Sequence, residues 1–224
     1  MEDLGRRLSQ AEVFNKLPEA EWAELARRAR RRCLRTGEFV CHQGDIWPNV
    51  IFLASGRLRW TILSAGGQEY VPFTIEPGAG VWGHSIFDDQ PMPAGIVATN
   101  VSKVYQWPRE EILPILYRNP SAMWEITRVQ VRAMRRAGEI IYGLAFQPVA
   151  GRLAKLLLQR FAGEENIPVE RDLTLSEIAA MIASSPEVVC RLLHQFQADG
   201  VLEINRAHIT LHDREALEKL VRMA

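Results

Sequence analysis

An α+β fold is predicted, with an N-terminal β-roll of the double-stranded jelly-roll kind, a long dimerisation helix and a C-terminal winged helix-turn-helix. Three observations carry it. Short β-rich runs alternate with glycine-bearing turns between Cys33 and Trp107. One unbroken helical pattern follows Asn119-Pro120. Two capped helices, a tight turn and a β-hairpin come next.

The elements follow in order. Glu19 to Arg35 reads as a basic amphipathic helix, with Trp22, Leu25, Ala26 and Ala29 at helical spacing. The strand runs are Glu38–His42, Val50–Ala54, Leu58–Leu63, Glu69–Ile75, Ile96–Ala98 and Val101–Trp107. Breaks fall at Gly37, Gly44-Asp45, Ser55-Gly56, Gly66-Gly67 and Pro77-Gly78, and Gly66-Gly67 reads as a two-residue hairpin. Strands this short and evenly spaced suit a small barrel or roll.

A helix start is expected at Pro108, because Glu110 and Glu111 would occupy its first turn. From about Ser121 to Ala145, Trp124, Val131, Met134, Ile141 and Leu144 fall mostly on one stripe. Arg128, Arg132, Arg135 and Arg136 are too many charges for a fully buried helix. A helix of roughly 25 residues spans nearly 40 Å. That exceeds one small domain and favours a coiled-coil-like dimer seam over a core helix packed on the roll.

Beyond Gln147-Pro148, Val149–Phe161 is a helix and Gly163–Arg171 a polar loop. Thr174-Leu175-Ser176-Glu177 has the form of a capping box, and a short helix Leu175–Ile182 follows. Ala183-Ser184 forms a turn, Ser185 caps the next helix and Pro186 takes its first position. That helix runs to about Asp199, where Gly200 ends it. Val201–Ile204 and His208–Leu211 form a hairpin around Asn205-Arg206-Ala207. This order of elements describes a winged helix-turn-helix. The expected domains are 1–108 (roll with N-terminal helices), 109–146 (dimerisation helix) and 147–224 (DNA-binding domain).

Composition removes several classes. The 224 residues are 47% apolar and 24% charged, with 27 basic and 27 acidic side chains. Global charge therefore gives no reason to expect nucleic-acid binding, and any such case must be local. No apolar run is long enough to span a bilayer, and Met1 to Arg7 lacks the apolar core of a secretory leader, so a cytoplasmic location and no membrane partner are expected. Cys33, Cys41 and Cys190 are odd in number and scattered, which argues against a disulfide framework or a cysteine-rich zinc site. No nucleophile–base pair, P-loop or H-E-x-x-H pattern occurs, so no enzyme is expected.

A helix turns about 100° per residue, so Glu187, Cys190, Arg191 and His194 share one broad stripe. Val188, Val189, Leu192, Leu193 and Phe196 supply the buried side. An arginine can donate two bonds to guanine, and a glutamate can accept from cytosine N4. An exposed i,i+4 salt bridge is the competing reading, and such pairs contribute little. Residues 147 onward hold nine Lys/Arg against eleven Asp/Glu, which weighs against DNA. Against that objection stand a local positive face (Arg152, Lys155, Arg191, His194, Arg206 and His208) and neutral phosphate contacts from Thr174, Ser176 and two helix N-termini.

The chain resembles transcription regulators of the Crp/Fnr type over nearly its whole length. Gly37-Glu38-Phe39-Val40 with Gly44-Asp45 is similar to the family's first roll motif, and Ile51 to Leu58 to its second. Leu144-Ala145-Phe146 with Val149 to Ala154 is similar to the junction into the DNA-binding domain. Leu173 to Ala179 and Ser185 to Leu193 fit the helix-turn-helix. The resemblance implies a homodimer on double-stranded DNA, with an effector in the roll biasing the placement of two recognition helices. It implies DNA contacts from Thr174, Ser176, Ser185, Glu187, Cys190, Arg191, His194 and Arg206, and a TGA-like half-site. If the protein is an activator, RNA polymerase is a further partner. Pro186 stands where nucleotide-sensing relatives often carry an arginine, so one base contact is expected to be missing.

The departures bear on the effector. Cyclic-nucleotide-binding members carry Gly-Glu and then Arg-Ser. Here Gly83-His84 and Pro93-Ala94 stand near those places, and Ala137-Gly138 replaces the hydroxyls of the dimer helix. A buried phosphate without an arginine is poorly compensated, so cAMP is not expected. The iron–sulfur branch needs four cysteines, so that cluster is not expected either. The cofactor is left unknown, with haem as an alternative. His84-Ser85 lies near the haem-ligating histidine of the family's carbon-monoxide sensors, making His84 the candidate iron ligand among Trp82, Ile86, Phe87 and Met92. Trp82, Gly83, His84, Ser85 and Met134 are the candidate effector contacts. A small organic effector, or none, are the other readings, as is a redox role for Cys190 beside Arg191. A ligand-binding regulatory protein acting through protein contacts is the runner-up from another class.

Overall fold

A computed structural model describes residues 2–161, 165–205 and 207–222. The chain divides into two compact units, one of residues 1–64 and 72–135, the other of 65–71 and 136–224.

The first unit opens with α1 (Glu2–Leu8), a 3-10 turn (Phe14–Lys16) and α2 (Glu19–Arg28). The strands follow: β1 (Arg30–Leu34), β2 (Phe39–Cys41), β3 (Asn49–Ser55), β4 (Leu58–Leu63), β5 (Glu69–Ile75) and β6 (Gly80–Trp82). A short α3 (Ser85–Asp88) precedes β7 (Gly95–Ala98) and β8 (Ser102–Pro108). Two four-stranded sheets result, ordered β1-β8-β3-β6 and β2-β7-β4-β5.

The β3 run is apolar without alternation because both of its faces are covered. Ile51 and Leu53 join the core between the sheets, with Leu34, Leu58, Trp60, Ile96 and Val104. Val50, Phe52 and Ala54 face the other way, into a second core with Phe14, Trp82, Trp107 and the N-terminal helices. Side chains alternate across a strand, so one run feeds two cores. Gly56, at φ +89°, is required at the β3–β4 turn, where a Cβ would lie 2.6 Å from the Ser102 Cα.

The expected helix Glu19–Arg35 is overturned in its second half. The helix stops at Arg28, and Arg30–Leu34 pairs antiparallel with β8, Leu34 opposite Ser102. Arginine has good helix propensity, but pairing with β8 buries Leu34 in the roll core, and tertiary packing outweighs local preference. The Gly66-Gly67 turn is longer than two residues: the strands end at Leu63 and resume at Glu69, with Gly67 at φ +78°.

Next come α4 (Arg109–Arg118), which begins beside Pro108 as expected, and α5 (Pro120–Phe146) of 27 residues. The helix α5 belongs to the first unit up to Arg135 and to the second from Arg136.

The second unit contains α6 (Val149–Phe161), β9 (Pro168–Glu170), α7 (Leu175–Met181), α8 (Pro186–Ala198), β10 (Leu202–Ile204), β11 (His208–Leu211) and α9 (Arg214–Arg222). The predicted loop 163–171 contains a strand. Pro168–Glu170 pairs with β11, widening the hairpin into a three-stranded sheet ordered β10-β11-β9. Its pairing partner lies some forty residues further on, so local pattern could not reveal it. The core gathers Leu153, Leu157, Ile178, Val189, Leu193, Phe196, Leu211 and Leu217.

Candidate nucleic-acid interface and effector roll

The helix-turn-helix is set by its caps. The Thr174 hydroxyl accepts from the Glu177 amide at 3.2 Å, and the Glu177 carboxylate accepts from the Thr174 amide at 2.8 Å. This closes the capping box that starts α7. The Ser185 hydroxyl accepts from the Val188 amide at 3.4 Å and starts α8, with Pro186 at the first position. Between the two helices Ala183 sits at φ +51°, a left-handed conformation that a side chain disfavours. Two hydrogen bonds from one guanidinium hold that turn in place, and a third ties the same group to the chain just before α6. Arg152 of α6 donates to the carbonyls of Ile182 (2.9 Å), Ala183 (3.3 Å) and Gln147 (2.7 Å). Burial draws the Arg152 pKa down, with Tyr70 opposing that shift.

Sequence reasoning placed Arg152 on a phosphate-binding face. Its guanidinium is instead engaged by these backbone carbonyls. The signal that could have found it is an arginine on the buried side of α6, between Gly151 and Leu153, which are both buried.

On α8, Val189, Leu193 and Phe196 are buried while Glu187, Arg191 and His194 are exposed. Glu187, Cys190, Arg191 and His194 line one open concavity of about 770 Å³, together with Leu175, Pro186, Gln195 and Ala198. The competing salt bridge does not form: among the described residues neither Glu187 nor Arg191 is paired with an opposite charge. The Ser185 hydroxyl, hydrogen-bonded to the Glu187 carboxylate, lowers its pKa, and so keeps an ionised acceptor on the exposed face. Cys190 Sγ lies 3.8 Å from His194 Nδ1. Ser176 is exposed, whereas the Thr174 hydroxyl is committed to its cap. Asn205 Oδ1 accepts from the amides of Ala207 (2.9 Å) and His208 (2.8 Å), fixing the wing turn. Arg206 lies outside the described residues.

The candidate effector residues do not gather at one place. Trp82 is buried, but on the far side of the first sheet, stacked on Phe14 with ring centroids 5.5 Å apart. Ile86 belongs to that same core, and Phe87 is exposed. Gly83 is a packing glycine, since a Cβ there would meet the Trp47 carbonyl at 2.5 Å. Ser85 is fully buried; its hydroxyl accepts from the Trp47 amide (3.0 Å) and donates to the Gln90 carbonyl (2.7 Å). Met134, on α5, is 74% exposed.

The His84 ring meets the roll core. Its ring centroid lies 5.5 Å from Trp60, which stacks on Phe73 at 5.4 Å. The His84 Nδ1 is buried without a hydrogen-bond partner. Met92 is buried in the same core. Trp60 and Phe73 were missed because they lie on β4 and β5, outside the motif stretch around His84. Their only signal was an aromatic on the inward register of each strand.

Two family models match the chain. Residues 31–119 match the cyclic nucleotide-binding domain, and residues 151–220 match the Crp-like helix-turn-helix domain. The CRP-like cAMP-activated global transcriptional regulator of Mycobacterium tuberculosis is 26% identical over 221 residues, covering 96% of this chain and 98% of the relative. The cyclic AMP receptor protein of Thermus thermophilus is 25% identical over 191 residues, covering 85% and 88%. A solved transcriptional regulator of the Crp/Fnr family from Eubacterium rectale has the same fold, with a TM-score of 0.75, 22% identity and coverage of 94% and 97%.

The chain belongs to the Crp/Fnr family of transcription regulators.

Crp/Fnr regulators bind DNA and typically act as dimers, and the family is not one of enzymes. This Crp/Fnr chain carries both parts that such a regulator needs, an effector-type roll and a helix-turn-helix. No helix among its described residues is long and apolar enough to cross a membrane.

Proposed function

We propose that the protein is a homodimeric, sequence-specific DNA-binding regulator. It reads a palindromic site through Glu187, Arg191 and their neighbours on α8, and a small effector other than cAMP in the roll sets its activity. The observation that carries this reading is the exposed α8 face, on which Glu187 and Arg191 stand beside each other with no opposite charge paired to either among the described residues. A guanidinium and an ionised carboxylate so placed on a helix capped by Ser185 are available for base edges. The α5 helix supplies the dimer contact, with Met134 and Ile141, one heptad apart, 74% and 65% exposed in the single chain. The two half-sites then lie about one helical turn, roughly 34 Å, apart. Selection of bound duplexes from a random pool tests this. A two-fold symmetric sequence with a TGA-like half-site is expected, and enrichment of no palindrome defeats the reading.

The exclusion of cAMP rests on the roll's own residues. The positions near the expected acid and arginine are held by His84 and Pro93-Ala94, and the core behind them is Trp60, Phe73 and Met92. An anionic phosphate would find no guanidinium from those positions. An uncharged, partly aromatic molecule suits this lining better. Calorimetric titration with millimolar cAMP and cGMP should show no binding, and micromolar affinity would overturn the claim.

Haem is the second reading, favoured by the orphaned His84 Nδ1. The arrangement does not fit it as it stands. Trp60 lies 5.5 Å from the imidazole with Phe73 stacked behind, so a macrocycle would have to displace both rings. An absorption spectrum of freshly purified protein decides: a Soret band that changes in His84→Ala would restore haem.

A further inference from the structure

Two rows of side chains run along the outer face of α8. Residues four apart lie one above the other on a helix, so Glu187, Arg191 and Gln195 form one row and Pro186, Cys190 and His194 the next. Both rows line the same concavity, and Leu175 of α7 lines it with them.

The first row is polar. Glu187 and Arg191 have no opposite charge paired to them among the described residues. The Gln195 amide is committed to the Asp199 carboxylate, at 2.9 and 3.0 Å. The second row begins differently. Pro186 has no backbone N–H to give. The Ser185 hydroxyl before it is taken up by the Val188 amide, at 3.4 Å, and by the Glu187 carboxylate. The Cys190 thiol lies 3.8 Å from His194 Nδ1, and a thiol is a weak hydrogen-bonding group in any case. The Leu175 side chain offers only carbon. Leu175, Pro186 and Cys190 are each half-buried. Together they put a small surface of carbon and sulfur beside a carboxylate and a guanidinium.

The core does not explain that surface. The side of α8 that the core buries is Val189, Leu193 and Phe196. A proline at the first helical position helps to start α8, but Cys190 has no such duty. Base edges supply a reason. In the major groove adenine, guanine and cytosine present hydrogen-bond donors and acceptors, whereas thymine adds a C5-methyl group. A donor or acceptor pressed against Leu175, Pro186 and Cys190 would lose its water without gaining a partner. A methyl group in the same place loses no hydrogen bond and is removed from water against other apolar atoms.

We infer that Pro186 and Cys190, with Leu175, read the methyl group of a thymine in each half-site, beside the base pairs read by Glu187 and Arg191. Pro186 then does more than remove a hydrogen-bonded contact, because it supplies an apolar one. The inference rests on the DNA reading proposed above.

The experiment replaces thymine by deoxyuridine in the selected palindrome, one position of the half-site at a time. Uracil pairs with adenine as thymine does, so the methyl group alone is lost. Affinity is measured at fixed salt for wild type, Pro186→Ser, Cys190→Ser and Cys190→Ala, each checked for an unchanged melting temperature. In wild type one thymine position should stand out, with binding weakened about fourfold per half-site, the value of one buried methyl group. The serine variants should bind the thymine duplex less well and should hardly distinguish it from the uracil duplex. Cys190→Ala keeps the surface apolar and should keep most of the distinction. If Pro186→Ser melts lower, the two Cys190 variants decide.

Wild-type affinity unchanged by uracil at every position overturns the inference, as does a selected half-site without thymine. So do serine variants that distinguish the two duplexes as sharply as wild type, or a Cys190→Ala that loses the distinction as fully as Cys190→Ser. A wild type that does not prefer the palindrome to scrambled sequence overturns the DNA reading itself. Tight, selective binding with no methyl effect overturns this inference alone.

Discussion

Arg152 Nε donates to the Ile182 carbonyl at 2.9 Å, joining α6 to the last turn of the helix that precedes the recognition helix. A second nitrogen of the same guanidinium reaches the carbonyl of Ala183, the residue held at φ +51°. Arg152→Ala removes the donors and leaves those carbonyls without them. The expected cost is about 1.5–3 kcal/mol, typical for a hydrogen bond to a charged group. Thermal melting followed by circular dichroism should show it. Affinity should fall for all duplexes while the salt slope stays unchanged, because no phosphate contact is lost. A reduced slope with unaltered melting would put Arg152 on the DNA after all.

Arg191→Ala should behave in the opposite way. Arg191 is exposed and unpaired among the described residues, so melting should hardly move. Binding to the selected palindrome should weaken by about 1–3 kcal/mol per half-site, and preference at one base pair should flatten. Repeating the selection with the variant checks this; an equally sharp palindrome would remove Arg191 as a base reader.

Met134→Glu tests the dimer. Two copies of the side chain brought together in an apolar seam would place unpaired like charges there, at a cost of several kcal/mol. Light scattering should show a wild-type dimer at micromolar concentration and a weakened one in the variant. A monomeric wild type contradicts the proposal.

Burial among apolar side chains pushes the Cys41 thiol up to about 12, with the Ile96 backbone hydrogen bond opposing that shift. The folded protein therefore keeps a proton that the unfolded chain gives up from about pH 8.5. Stability from this source is complete below that pH and declines as pH rises toward about 12. The slope is at most about 1.4 kcal/mol per pH unit. Denaturant midpoints at pH 8 and at about 10.5 should fall further apart in wild type than in Cys41→Ala. Alkylation of the native protein should label exposed Cys33 first and Cys41 only on unfolding.

The caps of α7 and α8, the ends of α6 and the wing hairpin were legible because each is decided within a few residues. Thr174 finds Glu177 three positions on, Ser185 finds Val188, and Asn205 finds His208. Six of the eight roll strands were legible for the same reason, since glycine turns and β-rich runs mark their ends locally; β1 and the three-residue β6 (Gly80–Trp82) were not. Tertiary structure alone decided the fate of the arginines and of the residues around His84. Arg30–Leu34 has helical propensity but is a strand because β8 offers it a ladder and a core for Leu34. Arg152 is a structural clamp because the carbonyls of Ile182 and Ala183, thirty residues away, point at it. Trp82 and His84 are near neighbours in sequence but belong to different cores, since β6 presents Trp82 to Phe14 while His84, beyond the strand, meets Trp60. Sequence fixes what a residue can donate, accept or bury, but a long-range partner is chosen only when strands and helices pack. That choice determines which of the charged and aromatic side chains remain free to meet DNA or an effector.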